Sequence, residues 1–199
     1  MSETPVATHG RDLEKVGVAL TGAAAIMEVT EDFTPPTVTE FAVEEYTLPE
    51  GFRGLGLRKT DGAPEWADEA DGDALEFFED GYTIPSGLVT VTCTMTLAQT
   101  SPLVIELKSG IDITAASGGD LDLGGNAKRY VLYTEEVYRT AGGGTLIERR
   151  MAEVTVQSVT HQRPERGEVR GHEVVFAAGR STLFGGKHMR YALVPVDAA

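Results

Sequence analysis

One ten-residue stretch, Leu88–Leu97, alternates apolar and hydroxyl side chains without a break. Successive side chains of a β-strand point to opposite faces, so this period of two predicts a strand with one apolar face and one hydroxyl face. The apolar face should pack on a core. The hydroxyl face should meet bulk water or line a wet channel, and the pattern leaves both open. The apolar positions are Val89, Val91, Cys93, Met95 and Leu97, and the hydroxyl positions are Thr90, Thr92, Thr94 and Thr96.

Shorter alternating runs recur along the chain, separated by turn signals. Residues 37–47 follow Pro35-Pro36 and alternate weakly, so they are predicted to form an edge strand or an extended arm. Glycines 142–144 and the charged stretch 162–170 are predicted to be hairpin turns. The remaining predicted strands, the first of them broken near Gly22, are 16–29, 52–57, 111–115, 129–137, 146–159, 174–178 and 189–196.

The best helix signal follows the alternating stretch. Ser101-Pro102 supplies an N-cap and a first helical residue, an apolar stripe follows at positions 103, 104 and 107, and Gly110 can end the helix. About ten strands with one helix predict a mainly β protein, a β-sandwich or barrel with one packed helix and extended loops or arms. We expect one domain over residues 1–199, with an N-terminal arm at 1–15.

Residues 59–82 are unusually acidic, with nine Asp or Glu side chains and no Lys or Arg after Lys59. Such a segment repels itself, and a purely solvated one would not need its aromatic side chains. We therefore predict a long acidic loop that is disordered in the free protein and docks on a neighbouring subunit. Its expected interface residues are Asp61, Trp66, Asp68, Glu69, Phe77 and Phe78.

The formal net charge of -14 lies entirely in the first half of the chain. Residues 1–100 hold 19 acidic and 5 basic side chains, whereas residues 101–199 hold 12 of each. This balance argues against tight groove binding to nucleic acid, which needs a basic face. Two unlike halves suit head-to-tail association of identical subunits. The candidate basic contacts are Arg149, Arg150, Arg163, Arg166 and Arg170.

A search for chemistry finds no catalytic motif and no apolar run long enough to span a membrane. The histidines lack metal-ligand spacing and are predicted to be surface or turn residues. The acidic segment fails the calcium-loop pattern because Ala74 stands where the tight turn needs glycine. The lone cysteine, Cys93, is predicted to be a core residue in a protein folded in a reducing compartment. We predict no enzyme activity, cofactor, metal site or membrane insertion.

Four segments in order carry a resemblance to a known family. They are VGVALTGAAAI (16–26), PEGFRGLGLRKTDG (49–62), TMTLAQTSPLVIELKSG (94–110) and YALVPVD (191–197). The chain resembles the major tail protein, the tail tube subunit, of long-tailed bacteriophages of actinobacterial hosts. It departs from the usual pattern at Gln99, where an acidic residue is common, and in 81–88, which lacks a basic residue.

The resemblance implies a β-sandwich with one helix, whose copies close hexameric rings that stack into a tube for DNA delivery. Its partners would be other copies of itself, the tape measure protein, the tail-end proteins and passing DNA that is not specifically bound. The tube would assemble in the bacterial host cytoplasm and belong to the virion. Thr90, Thr92, Thr94 and Thr96 would face its lumen, where an acidic wall repels phosphate. A sheet-rich virion-surface or carbohydrate-binding module remains the alternative.

Overall fold

The computed structural model describes residues 16–71, 75–76, 83–84, 88–111, 125–141 and 143–196. The helices are α1 (Val38–Phe41) and α2 (Pro102–Ser109), and a 3₁₀ turn spans Thr182–Phe184. The predicted arm at 1–15 and nearly all of the predicted strand at 111–115 lie outside the described residues. The strands are β1 (Gly17–Glu28), β2 (Arg53–Gly54), β3 (Glu65–Asp71), β4 (Leu75–Glu76), β5 (Thr83–Ile84), β6 (Leu88–Leu97), β7 (Arg129–Thr140), β8 (Thr145–His161), β9 (His172–Ala178) and β10 (Met189–Val196).

Eight strands form one antiparallel sheet, so the prediction of a mainly β fold is confirmed. The order is β2-β1-β7-β8-β9-β6-β3, and β10 pairs with β8 off this path. The 17-residue β8 pairs with β7 along one edge. Its other edge pairs with β10 over the first half and with β9 over the second. The sheet therefore divides into two parts that share β7 and β8.

The segment 53–59 connects the two sides of the curled sheet. β2 pairs with β1, and the Leu55 N–H donates to the Ala24 carbonyl at 2.9 Å. Two residues later the Leu57 carbonyl accepts from Ala98 at 2.7 Å, and Lys59 donates to Thr96 at 3.1 Å. The same short segment thus bonds β1 and the end of β6. Together these stretches surround the first core in the manner of a barrel.

The first core lies inside this barrel-like part and receives α2 at its boundary. Helix α2 contributes Val104 and Leu107, begins after Ser101 and ends at Gly110, whose φ is 73°, as predicted. Arg53 binds the buried Glu106 carboxylate at 2.7 and 2.9 Å, which lowers the pKa of Glu106 and fastens the helix to β2. The strand residues of the first core are Ala24, Ile26, Val91, Cys93, Met95, Leu97, Tyr130, Leu132, Ala152, Val154, Val174, Phe176 and Ala178.

The second core covers the opposite face of β1, β7, β8 and β10. Residues 29–52 and the 3₁₀ turn cross this face, with Phe41 fully buried. The prediction of a strand or arm at 37–47 is wrong, because α1 occupies its start. Thr37 and Glu40 form a reciprocal capping box: Oγ1 of Thr37 accepts from the Glu40 N–H at 3.2 Å, and a Glu40 carboxylate oxygen accepts from the Thr37 N–H at 2.7 Å.

Two further predictions, for β1 and β3, are wrong. β1 runs from Gly17 to Glu28 without a break at Gly22. A Cβ at position 22 would lie 2.5 Å from the Glu135 carbonyl oxygen. Glycine allows close approach of the strands at this point, and the irregularity falls between Ala19 and Thr21 instead. Residues 65–71 are not a loop, because β3 pairs in register with β6. Glu65 and Glu69 lie on the face opposite to Trp66, which packs against the first core, whereas exposed Asp68 shares the face of Trp66.

The burial of β6 generates a test with adjacent positions. Val91 is buried in the first core, whereas Thr92 is half-buried on the other face. Val91→Asp should destabilise the protein by about 4 kcal/mol or more, because it places an unpaired carboxylate in an apolar core. Thr92→Asp should cost about 1 kcal/mol or less. Urea unfolding measures both, and equal losses would contradict the assignment of the two faces.

Candidate assembly surfaces

The outer side of β3, β6 and β9 forms a continuous threonine surface. Thr92 lies between Ala67 and Ala177 in the register, and Thr94 lies between Glu65 and Val175. These side chains point away from the first core, and neither the second core nor α2 covers them. The surface has three carboxylates and no Lys or Arg at its described positions, which are Glu65, Ala67, Glu69, Thr90, Thr92, Thr94, Thr96, Glu173, Val175 and Ala177.

Exposure falls along this surface from one end of β6 to the other. Thr90 is exposed, Thr92 and Thr94 are half-buried, and Thr96 is only 9% exposed. The Thr96 N–H donates to the Gly62 carbonyl at 3.2 Å. A Cβ on Gly171 would lie 2.6 Å from the Thr96 Cγ2. The chain itself therefore covers Thr96, and the accessible part of the surface ends at Thr94.

Trp66 is held by contacts within its own chain. Its indole N–H donates to the hydroxyl of Thr134 at 3.2 Å, and its ring packs against the first core. Thr134 is buried, so the indole supplies a partner to a hydroxyl that water does not reach. Of the other residues predicted for this segment, Phe77 and Phe78 lie outside the described residues. Asp61, Asp68 and Glu69 are exposed.

Arg149 lies inside the subunit, under residues 41–44. Its side chain is 2% exposed, and Nε binds Glu135 at 2.6 Å. Nη1 donates to the carbonyls of Phe41 and Val43, and Nη2 donates to that of Glu44 at 2.7 Å. These bonds satisfy the carbonyls at the end of α1 and hold that segment on the sheet. The guanidinium of Arg149 is thus buried within the chain, whereas that of Arg150 is partly exposed.

Arg150 points to the other face of β8 and organises an accessible group of side chains. The Arg150 cluster consists of Arg150, Glu136, Tyr138, Glu148 and Tyr191. Arg150 pairs with Glu148 and lies 5.7 Å from the centroid of the Tyr191 ring. Tyr138 donates to Glu136 at 2.5 Å and lies 3.2 Å from Glu148, its hydroxyl bridging two carboxylates that are register partners.

Burial of Tyr138, followed by its hydrogen bond to Glu136, raises the pKa of the phenol well above its usual value. The hydroxyl therefore remains a donor at neutral pH. Tyr191 is 47% exposed, and Leu193 on the same face of β10 is 52% exposed. A charged group beside exposed aromatic and aliphatic side chains has the composition of a protein–protein contact.

Two groups with possible chemistry are also buried. Burial raises the pKa of the Cys93 thiol far above its normal value, so the thiol is a core side chain, as predicted. The prediction of surface or turn histidines is wrong for His172, which is 1% exposed and contacts His161. No sequence motif signals this pair, because sheet register brings the two residues together.

Across the described ranges, no group of three or more His, Cys, Asp or Glu side chains could hold a metal ion. None of the helices in that part of the chain has the length and apolar character to cross a membrane. In comparisons with known proteins, no family model matches the chain and no curated protein matches it.

The adjacent arginines provide a matched test of their different environments. Arg149→Met should destabilise the protein by about 3–5 kcal/mol, since it leaves Glu135 without its cation and the carbonyls of residues 41, 43 and 44 without their donor. Arg150→Met should cost about 1 kcal/mol or less, because the Arg150 pair is partly solvated. Chemical denaturation of both variants measures the difference. A stable Arg149→Met protein would contradict the structural role given to Arg149.

Proposed function

We propose that this protein is the tail tube subunit of a long-tailed bacteriophage, a structural virion protein rather than an enzyme. Its copies would form hexameric rings that stack into a conduit for DNA. The threonine surface is the observation that carries this proposal. It is three strands wide, lacks cations at its described positions and bears carboxylates at Glu65, Glu69 and Glu173.

A conduit wall for DNA must not retain the molecule that passes along it. Proteins bind the DNA backbone through Lys and Arg side chains that neutralise phosphates. Short hydroxyl and methyl groups offer no such charge, and carboxylates repel phosphate. The threonine surface combines both properties on one sheet, and the -14 net charge of the chain acts in the same direction.

Two strands offer edges through which rings could close. Among the described strands, β3 pairs only with β6, and β10 pairs only with β8. Unpaired strand edges present N–H and C=O groups that a second chain can bind. Exposed Asp68 and Glu69 lie on β3, whereas Arg150 lies beside β10. Contact between the β3 side of one copy and the β10 side of the next would pair opposite charges in a heterologous, ring-forming interface.

In this proposal the tape measure protein occupies the lumen before DNA does, and tail-end proteins bind the terminal rings. Assembly takes place in the bacterial host cytoplasm, and the finished tube belongs to the virion. These partners and locations follow from the resemblance of the four sequence segments to tail tube subunits. The threonine surface would repel the phosphates of DNA. At its described positions it offers no cation that could bind anionic groups of the tape measure protein.

Electron microscopy tests the ring. Purified protein should form rings or tubes in negative stain, and Arg150→Glu should abolish them because it reverses the charge beside β10. Lys187→Glu is the matched control, with the same charge change on an exposed side chain outside the candidate surfaces, and should assemble normally. Folded wild-type protein that remains monomeric at high concentration would contradict the proposal and favour the binding-module alternative.

DNA binding tests the wall. Wild-type protein should not retain a DNA duplex in a mobility-shift assay at about 0.1 M salt. Changing both Thr92 and Thr94 to Lys should create retention that weakens as salt rises, because each lysine neutralises a phosphate. The double change to Ser keeps the hydroxyl groups and should behave as wild type. Tight DNA binding by the wild type would contradict a non-adhesive surface.

A further inference from the structure

His161 and His172 face each other where β8 ends and β9 begins. Their Nδ1 atoms are 2.6 Å apart, and their rings meet edge to face at 87°. This separation requires a hydrogen on one Nδ1 and a lone pair on the other. The second nitrogen of His172, Nε2, lies 2.9 Å from the hydroxyl oxygen of Thr100. His172 is therefore bonded at both ring nitrogens while almost fully buried.

The pair connects three parts of the fold. His172 is the register partner of both His161 on β8 and Leu97 at the end of β6. Thr100 precedes Ser101, the N-cap of α2, whose side chain makes no capping hydrogen bond. The Thr100–His172 contact thus anchors the start of α2 to the sheet. On the other side, the Gln162 N–H donates to the Gly171 carbonyl at 2.9 Å and closes the hairpin 162–171.

The charged side chains that act on the pair are cations. Lys108 approaches His161 from α2, and Arg170 acts on both rings from the hairpin. Lys59 reaches the same hairpin through the side chain of Gln162, at 3.3 Å. Glu173 follows His172 but points to the threonine surface, as the register partner of Thr96 and Thr160. The hairpin carboxylates, Glu165 and Glu168, belong to exposed residues.

Counting protons shows when the contact must break. The neutral pair has two N–H groups on four ring nitrogens, one of them between the facing Nδ1 atoms. A third proton can occupy the Nε2 of the ring that donates through Nδ1, and the Nδ1–H···Nδ1 bond survives. If that ring is His172, the Thr100 hydroxyl turns to accept the new hydrogen. A fourth proton places hydrogens on both Nδ1 atoms. The two rings then repel each other as adjacent cations, so the second added proton breaks the contact.

We propose that the His161–His172 pair is a proton-operated latch that holds hairpin 162–171 and the start of α2 on the end of β6 when neutral, and releases both when doubly protonated. The latch belongs to the single subunit and does not rest on the proposed function. The hairpin carries exposed Arg163, Arg166 and Arg170, so release would change how a cationic surface is presented.

The direction of the pH dependence follows from burial. Burial, together with the Lys108 charge, lowers the pKa of His161, and burial with the Arg170 charge lowers that of His172. Both values lie below the 6.5 of an unperturbed histidine. The folded state therefore binds fewer protons than the open state. The latch is at full strength above about pH 6.5, the pKa of an unperturbed histidine, and it weakens as the pH falls through the lowered pKa values of His161 and His172.

Amide hydrogen exchange of the full chain at about pH 7.5 and about pH 5, corrected for intrinsic rates, tests the proposal. Protection of Gln162 and of residues near Thr100 should fall at least about tenfold at the lower pH. Protection of the β7–β8 pairing should persist. Absence of a local loss in the wild type would overturn the latch.

His161→Gln separates the latch from general acid sensitivity. Glutamine can accept the hydrogen from the Nδ1 of His172 and cannot take up a proton in this range. This variant should therefore lose the acid-induced opening, whereas His188→Gln, at a half-buried histidine elsewhere, should open like the wild type. Equal opening in all three proteins would overturn the proposal.

Ring nitrogen NMR of the wild type provides a second measurement that needs no variant. The two histidines should take up two protons over the range in which protection is lost, with a coupled titration. Double protonation without any change in hairpin protection would also overturn the latch. The coupling across the Nδ1–H···Nδ1 hydrogen bond should be detectable at neutral pH and vanish with opening.

Discussion

The pairing of β8 with three strands constrains where every surface of this protein lies. The strand shares one edge with β7, and its other edge passes from β10 to β9. Both faces of the sheet bury a core, so a slip of one residue would exchange buried and exposed side chains on each face. Adjacent Arg149 and Arg150 show the consequence. One guanidinium anchors α1 inside the second core, and the other lies in an accessible charged cluster.

The distribution of charge follows from the same sheet geometry. Arg53 and Arg149 are occupied by partners within the chain, where they fasten α2 and α1 to the sheet. Glu65 and Glu69 of β3 instead point outward, beside the threonines of β6. Two arginines therefore hold helices on the sheet, while two carboxylates of β3 lie on the threonine surface. This local placement of carboxylates is what the proposed phosphate-repelling wall rests on.

Much of the architecture was predictable because it depends on local pattern. Strict alternation predicted β6, and the Ser-Pro start with a glycine end predicted α2. The acidic composition of 65–71 concealed β3, since strand propensity cannot anticipate the partner that β6 provides. The alternation of residues 37–47 predicted an extended segment, whereas the observed start of this segment is a helix with a capping box at Thr37 and Glu40. Burial of Arg149 could not be predicted, because the segment that covers it, with the carbonyls of residues 41, 43 and 44, lies more than a hundred residues away.

The features that make the two ends of the threonine surface different are the hardest to predict from the sequence. The threonine surface is open at Thr90 and closed at Thr96, where glycines 62 and 171 pack over it. The histidine pair and the arginine-bearing hairpin lie at that closed end, beyond Leu97. Arginines lie at both ends of this surface: the hairpin carries Arg163, Arg166 and Arg170 at the closed end, and Arg129 and Arg180 line a pocket with Thr90 at the open end. The latch acts within the subunit at the closed end of this surface, and it is separate from the β3 and β10 edges through which the proposed rings would close.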